Sequence, residues 1–194
     1  MPVRALYLLT GLVAAFFSLA PAGAQTASTP PPPMVGIDEA AAKERAGLLA
    51  ELAAAPDEAQ AREVEDRLWK FWLGFADKES LGLLAVSHEA QLRFDYVSAT
   101  AAMQAVVAHQ PQFAEGWNQL AYVLFLAGSY DASIEAIERV LKLEPMHYAA
   151  LAGKGLILIQ QGKDGEAQAP LKRALTINPW LKERRLIEEP GRKI

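Results

Sequence analysis

The chain of 194 residues contains no cysteine, which excludes disulfide bonds, thiol catalysis and thiolate metal sites. Its three histidines, His88, His109 and His147, include no pair four residues apart, so a helical zinc pair is also absent. No glycine-rich phosphate loop and no G-x-S-x-G motif occurs. The formal charge of −4 gives no basic face for nucleic acid. We therefore expect no enzymatic activity, no cofactor, no metal and no nucleic-acid partner.

The first 24 residues differ in kind from the rest. Arg4 precedes an uncharged apolar run over residues 5–20, and Ala22-Gly23-Ala24 follows as an A-x-A cleavage site. This pattern predicts a secretory signal peptide cut between Ala24 and Gln25. The run is shorter than the roughly 20 residues that a spanning helix needs. We therefore predict a periplasmic protein with no stable membrane span after signal removal; N-terminal anchoring in the inner membrane is the alternative.

A proline-rich leader follows at residues 25–36, with four consecutive prolines at 30–33. Its composition cannot bury a core, so we expect an extended, disordered spacer.

Three further prolines, Pro111, Pro145 and Pro179, lie 34 residues apart, and the residues between them repeat with the same period. In the most regular unit, one helical stripe precedes Gly128 and a second follows it, and Pro145 ends the second helix. The first stripe contains Trp117, Leu120, Ala121 and Leu124; the second contains Tyr130, Ser133, Ile137 and Val140.

Shifting by 34 residues in either direction finds apolar, small and proline residues at most of the same places. This pattern resembles the tetratricopeptide repeat (TPR) family. The resemblance implies an all-α fold, a right-handed superhelical array of helix–turn–helix units. The units are 80–113, 114–147 and 148–179. We read residues 37–79 as a degenerate N-terminal hairpin capping the array, and residues 180–194 as a C-terminal capping helix and tail.

Some residues depart from the repeat or have a special place in it. Phe94 stands where the other units have glycine, which predicts a local difference in its turn. Gly153 and Gly155 lie inside a helix, where we expect close packing. His109 and His147 flank repeat-ending prolines, where an imidazole can cap a helix end.

The resemblance also implies a concave groove lined by the first helix of each unit. The groove positions, given next, include no lysine or arginine. The basic site that some members of the family use to bind a C-terminal carboxylate is therefore missing. The predicted lining is Leu84, His88, Gln91, Leu92, Asn118, Tyr122, Phe125, Leu126, Ala152, Leu156, Ile159 and Gln160. Two alternatives stay open: these side chains pack between repeats, or the chain's own N-terminal hairpin fills the groove.

The predicted function is that of an exported interaction module or scaffold in envelope protein assembly. Its partner would be a protein or peptide segment bound in an apolar-to-neutral groove. The alternative is a structural repeat protein that assembles with its own copies and takes no separate ligand.

Overall fold

The computed structural model describes residues 36–187, which form eight α-helices and one short 3₁₀ helix, with no strand among them. The helices are α1 (Glu39–Ala53), α2 (Glu58–Leu73), α3 (Lys78–Leu92), α4 (Tyr96–His109), α5 (Ala114–Leu126), α6 (Tyr130–Leu143), α7 (Tyr148–Gln160) and α8 (Asp164–Ile177), followed by the 3₁₀ helix Lys182–Leu186. The predicted signal peptide, its cleavage site and most of the proline-rich leader lie outside the described residues.

Polar caps explain where five of the helices begin. The carboxylates of Asp38, Asp57, Asp77 and Asp95 each accept a hydrogen bond from the backbone N–H three residues on, at the start of α1 to α4. Such caps satisfy backbone donors that have no partner within the helix. His147 does the same for α7, because its Nδ1 accepts from the Ala150 N–H at 3.2 Å. The predicted capping role of His147 is therefore confirmed.

The helices from α3 to α8 pack as three successive antiparallel pairs, and each pair packs against the next. Small residues stand where the two helices of a pair meet: Ala99, Ser133 and Ala167 are all fully buried. The Ser133 hydroxyl donates to the Ala121 carbonyl at 2.6 Å across the pair. The repeat spacing therefore places the close-contact positions as the sequence predicts.

The turn at Phe94 corrects one expectation. Phe94 has a φ of 58°, in the same left-handed region as Gly128 and Gly162, both at 74°. The closing hydrogen bonds also match, since Asp95 N–H donates to Ala90 just as Ser129 N–H donates to Leu124. The turn is thus the same as in the other units. The phenylalanine accepts a conformation that is unfavourable for a side chain with Cβ.

The two helical glycines of α7 turn out to be unlike each other. A Cβ on Gly155 would lie 2.4 Å from Cγ of Leu171, so this position does need glycine for close packing. A Cβ on Gly153 would meet only Ile137 Cδ1 at 3.7 Å, an ordinary contact. The close-packing prediction is confirmed for Gly155 and wrong for Gly153.

The N-terminal hairpin is not stacked on the open end of the array as a preceding repeat would be. Instead α1 packs against α8, and α2 packs against α5. The apolar stripes of the hairpin share one buried cluster with the third unit, formed by Leu48, Leu49, Leu52, Val64, Leu68, Trp72, Tyr148, Leu151, Ala152, Ala174 and Ile177. The predicted capping position is therefore wrong, because the hairpin finds its apolar partners on the last repeat.

At the other end, the segment after α8 folds back on it. The 3₁₀ helix packs against α8, and Gln168 Nε2 donates to the Leu186 carbonyl at 3.1 Å. Ile187 packs on the buried cluster of Leu158, Ala167 and Leu171.

Candidate functional site: the inner face and the hairpin across it

The first helices of the three units form one continuous face. Helix α5 adjoins α3 on one side and α7 on the other, in addition to its contacts with α4 and α6. Since α2 also packs against α5, the N-terminal hairpin lies on this inner face. The inner face and the hairpin together make the candidate site.

Three polar residues with the period of the repeat hold the hairpin in place. Gln110, Glu144 and Asn178 each directly precede a repeat-ending proline and end the second helix of a unit. We call these three residues the anchor row. Gln110 Nε2 donates to the Phe75 carbonyl at 2.7 Å. Asn178 Nδ2 donates to the Glu65 carboxylate. Helix α2 and the turn after it therefore cross all three units.

The central anchor, Glu144, is fully buried and holds both hairpin helices. Its two carboxylate oxygens accept from Nε and Nη2 of Arg45, which is itself 2% exposed. Trp72 Nε1 donates to Oε2 at 3.2 Å, and the Met146 N–H donates to Oε1 at 2.9 Å. Two-pronged pairing of a guanidinium with a carboxylate is strong and directional. This arrangement fixes α1 and α2 against the central unit.

A second buried polar group lies directly beside Trp72. The indole stacks on the His147 ring at 4.1 Å between centroids and 16° between planes. His147 Nδ1 accepts from the backbone, so the proton sits on Nε2, which donates to Glu115 at 3.0 Å. Glu115 also accepts from the side-chain amides of Asn118 and Gln119. This network links the hairpin to the first turns of α5 and α7.

The hairpin covers only one part of the predicted groove. Ala152 is buried in the cluster that the hairpin shares with the third unit, and Asn118 is tied to buried Glu115. Further along the same helices, Tyr122, Leu126, Leu156 and Ile159 are partly exposed, and Gln160 is exposed. Burial raises the pKa of the Tyr122 phenol. The inner face is thus covered by the hairpin at Ala152 and partly exposed further along α5 and α7.

The remaining predicted groove residues differ in exposure. Phe125 packs on the main core with its ring 5.8 Å from that of Tyr130, so it is partly a core residue. Leu84 also packs partly on this core. His88 is exposed, and Leu92 has 63% of its surface exposed. Gln91 donates to the Ser87 hydroxyl at 3.2 Å.

The anchor row is the feature that sequence reasoning missed. A signal for it was present, because a polar residue precedes each of the three equally spaced prolines. Its partners lie 35, 99 and 113 residues away along the chain. A repeat pattern gives no information on contacts between residues so far apart. In the sequence alone, the anchor row therefore looks like polar residues that commonly end a helix.

Three features of the described residues concern metal ions, buried polar groups and membrane spans. Between residues 36 and 187, no group of three or more histidine or acidic residues is placed to hold a metal ion. Within the same range, each buried side-chain nitrogen and oxygen has a hydrogen-bond partner. None of the helices in this range has the length and apolar character needed to cross a bilayer.

The comparison with known families agrees with this architecture. A tetratricopeptide repeat family model matches residues 83–139 and 127–179. The chain belongs to the tetratricopeptide repeat family. A TPR repeat-containing protein of Rhizobium etli is 40% identical over 73 residues, which cover 38% of this chain and 36% of that protein. The match thus spans about a third of the relative's length. Members of the family are typically not enzymes.

Solved structures show the same fold at low sequence identity. The TPR2B domain of yeast Sti1, in its complex with pHsp70, superimposes with a TM-score of 0.52 at 18% identity, covering 57% of this chain and 91% of that domain. The TPR2AB domain of yeast Sti1, in its complex with pHSP90, also gives 0.52 at 18% identity, covering 75% of this chain and 58% of that one. The helices of the three repeat units are thus arranged as in TPR arrays.

Proposed function

We propose that this TPR protein is an exported interaction module that binds a polypeptide segment on its inner face during envelope protein assembly. The observation that carries this proposal is the partly exposed stretch of that face, formed by Tyr122, Leu126, Leu156 and Ile159. These side chains, one aromatic and three aliphatic, come from the two adjoining helices α5 and α7.

The chemistry of this stretch favours an apolar ligand. None of the predicted groove positions carries a lysine or arginine. A peptide recognised through acidic groups or a C-terminal carboxylate would find no cation there. The apolar face of an amphipathic helix, or an extended apolar segment, fits these side chains better.

The hairpin contributes by holding the face in one shape. Repeat arrays contact mainly their neighbouring units, so their curvature responds to small rotations between units. Here the anchor row ties α2 and the turn after it to all three units at once. A pre-organised surface loses less conformational entropy on binding, which favours affinity.

The relatives support a role in binding polypeptides. The two Sti1 domains of similar fold were solved in complexes with pHsp70 and pHSP90. We carry over from them only the class of partner, because the identities are low and fold alone does not determine function.

Peptide selection tests the proposal directly. A random displayed library is selected against the immobilised chain, and the enriched peptides are titrated in solution. We expect enriched sequences with apolar residues at helical or alternating spacing, and no requirement for an acidic C-terminus. Tyr122→Ala should weaken their binding by about 2 kcal/mol, since a central aromatic side chain often dominates an interface.

Trp69→Ala is the matched control. Trp69 is an aromatic residue with 47% of its surface exposed, and it belongs to α2 of the hairpin and not to α5 or α7. Its removal should leave peptide affinity unchanged. If no peptide is enriched, or if both variants bind equally well, the inner face is not the binding site.

Export is tested separately. The intact mass of the chain recovered from the periplasmic fraction should correspond to an N-terminus at Gln25. A full-length product retained in the membrane would contradict the periplasmic location.

A further inference from the structure

A groove of about 800 Å³ lies between α1 and α2 of the N-terminal hairpin. These two helices pack on each other less closely than the two helices of each repeat unit. Gly47, on the wall of the groove, is about 200° around α1 from Arg45, the residue that pairs with Glu144 of the central unit. The groove therefore faces away from the repeats, and they do not fill it.

The wall that α1 gives to the groove extends from Ala40 to Glu51. At 1.5 Å per residue this wall is about 16 Å long. At its Glu51 end, the carboxylate pairs with Arg67 of α2 at 2.6 Å and so bridges the two helices. The other end, at Ala40, lies in the first turn of α1, close to the point where the chain enters the hairpin.

A turn at this entry point allows the preceding segment to reach the groove. Gly36, three residues before α1, has a φ of 80°. Glycine adopts this left-handed conformation without steric cost, which allows the chain to reverse its direction here. Ile37, the next residue, packs on the buried cluster that the hairpin shares with the third unit, and this contact fixes the turn in place. A segment that runs back from this turn starts at the Ala40 end of the groove.

The proline-rich leader, residues 25–36, has the length and the composition that this groove requires. Its four consecutive prolines favour the polyproline II conformation, which rises about 3.1 Å per residue. Residues 30–35 then span about 19 Å, close to the length of the α1 wall. The leader carries no charged side chain, so its docking places no unpaired leader charge against the hairpin.

The walls of the groove offer the groups that a polyproline segment binds. The Phe71 ring is partly exposed, and proline-rich segments dock in aromatic-lined grooves. Prolines have no N–H, so their backbone provides only carbonyl acceptors. Lys43 and Lys70 line the two walls, and neither ammonium group forms an ion pair within residues 36–187. Both can therefore donate hydrogen bonds to these carbonyls.

We propose that the leader folds back at Gly36 and docks in the groove between α1 and α2 of its own chain. The direct covalent connection favours docking within one copy, because it gives the leader a high effective concentration at the groove. The groove lies on the side of the hairpin that faces away from the inner face of the repeats. Docking therefore leaves that face free for a ligand, and the inference does not depend on the proposed function.

A spin label on the leader tests the docking. The chain has no cysteine, so Ala27→Cys gives a single attachment site ahead of the prolines, in the chain that begins at Gln25. The label broadens the NMR signals of the backbone amides near it. A docked leader carries the label to the Glu51 end of the groove, so the amides of Glu51 and Arg67 should lose about half of their intensity or more. A free leader would instead broaden most strongly the amides beside its attachment point, such as that of Glu39.

Filling the groove should release the leader. A Cβ on Gly47 would meet nothing within 4 Å, so Gly47→Trp adds its side chain to the groove without a clash at Cβ. In this variant the broadening at Glu51 should disappear, while helical circular dichroism stays the same. Gly165→Trp is the matched control, because Gly165 is also helical with open space at its Cβ position but belongs to α8. It should keep the broadening at Glu51.

A change in the leader tests the role of its prolines. Pro31→Ser combined with Pro32→Ser keeps the length of the leader but interrupts its polyproline II run. This double variant should weaken the broadening at Glu51 as the filled groove does.

Three results would overturn the inference. Broadening that is strongest at Glu39 would show that the leader is free. Broadening at Glu51 that survives Gly47→Trp would place the leader elsewhere. A mixture of spin-labelled chains with isotope-enriched chains that carry no label reports only contacts between copies. Broadening at Glu51 in that mixture would assign the groove to the leader of a second copy.

Discussion

Removing the positive member of the buried ion pair should detach the hairpin from the repeats. Arg45→Met keeps much of the aliphatic volume but leaves the Glu144 carboxylate without its cation. Glu144 is fully buried, and its remaining donors are Trp72 Nε1 and the Met146 N–H. An uncompensated buried charge of this kind typically costs about 3–5 kcal/mol. This loss weakens the docking of α1 and α2 before it affects the repeats.

Hydrogen exchange followed by mass spectrometry measures this loss where it occurs. We expect amides of residues 39–73 to exchange much faster in Arg45→Met, with protection in α5 to α8 changed less. Arg62→Met is the matched control, since Arg62 pairs with Glu58 on the surface at 51% exposure. Exposed pairs of this kind contribute less than about 1 kcal/mol.

A double variant separates the effect of the unpaired buried charge on Glu144 from the effect of losing the contact with Arg45. Adding Glu144→Gln to Arg45→Met removes the buried charge and keeps one carbonyl oxygen, which can replace the acceptor of either Trp72 Nε1 or the Met146 N–H, since these donate to different oxygens of Glu144. Most of the lost protection should return, because replacing both members of a buried pair is often nearly neutral. If Arg45→Met exchanges like Arg62→Met, or if the double variant recovers nothing, the apolar cluster alone holds the hairpin and the reasoning fails.

Three further single-residue changes test local features by urea unfolding, and a fourth is tested by its dependence on pH. Phe94→Gly should stabilise by about 1 kcal/mol, because it relieves a left-handed residue; a neutral result would mean that the turn carries no strain. Gly155→Ala should destabilise by about 1–3 kcal/mol through its clash with Leu171. Gly153→Ala should instead stabilise the protein by about 0.5–1 kcal/mol. If the two glycine variants change the free energy of unfolding equally, the close packing of Gly155 on Leu171 is wrong. Burial raises the pKa of Glu65, so ionising it disfavours folding. Glu65→Gln should therefore raise Tm near neutral pH and lose this advantage below about pH 4. If the Tm difference between this variant and the wild type is the same at every pH, the pKa of Glu65 is not raised by folding.

The repeat itself could be predicted from the sequence because its signals are local. Spacing of apolar residues specifies a helix, and Gly128 and Pro145 mark where two helices of a unit end. The period also located the buried small residues, as Ser133 shows. Predictions that depended on a single unusual residue were less successful. Phe94 was expected to change its turn, yet the surrounding hydrogen bonds hold the same geometry with a less favourable residue.

The candidate site was predictable only in part. The resemblance named the helices that line the inner face, but it gave no means of knowing which side chains are covered. Ala152 is buried under the hairpin, whereas Leu156, one turn further on, is partly exposed. That difference depends on where α2 crosses the face.

The sequence by itself determined the helices, their caps and the repeat, since each depends on residues a few positions apart. Only the tertiary structure decided where the hairpin docks, through Arg45 with Glu144 and Glu65 with Asn178. These contacts join distant parts of the chain, and no local preference encodes such a pairing. The same docking closes the α8 end of the array and leaves Val86 at the other end exposed, because one hairpin cannot cover both.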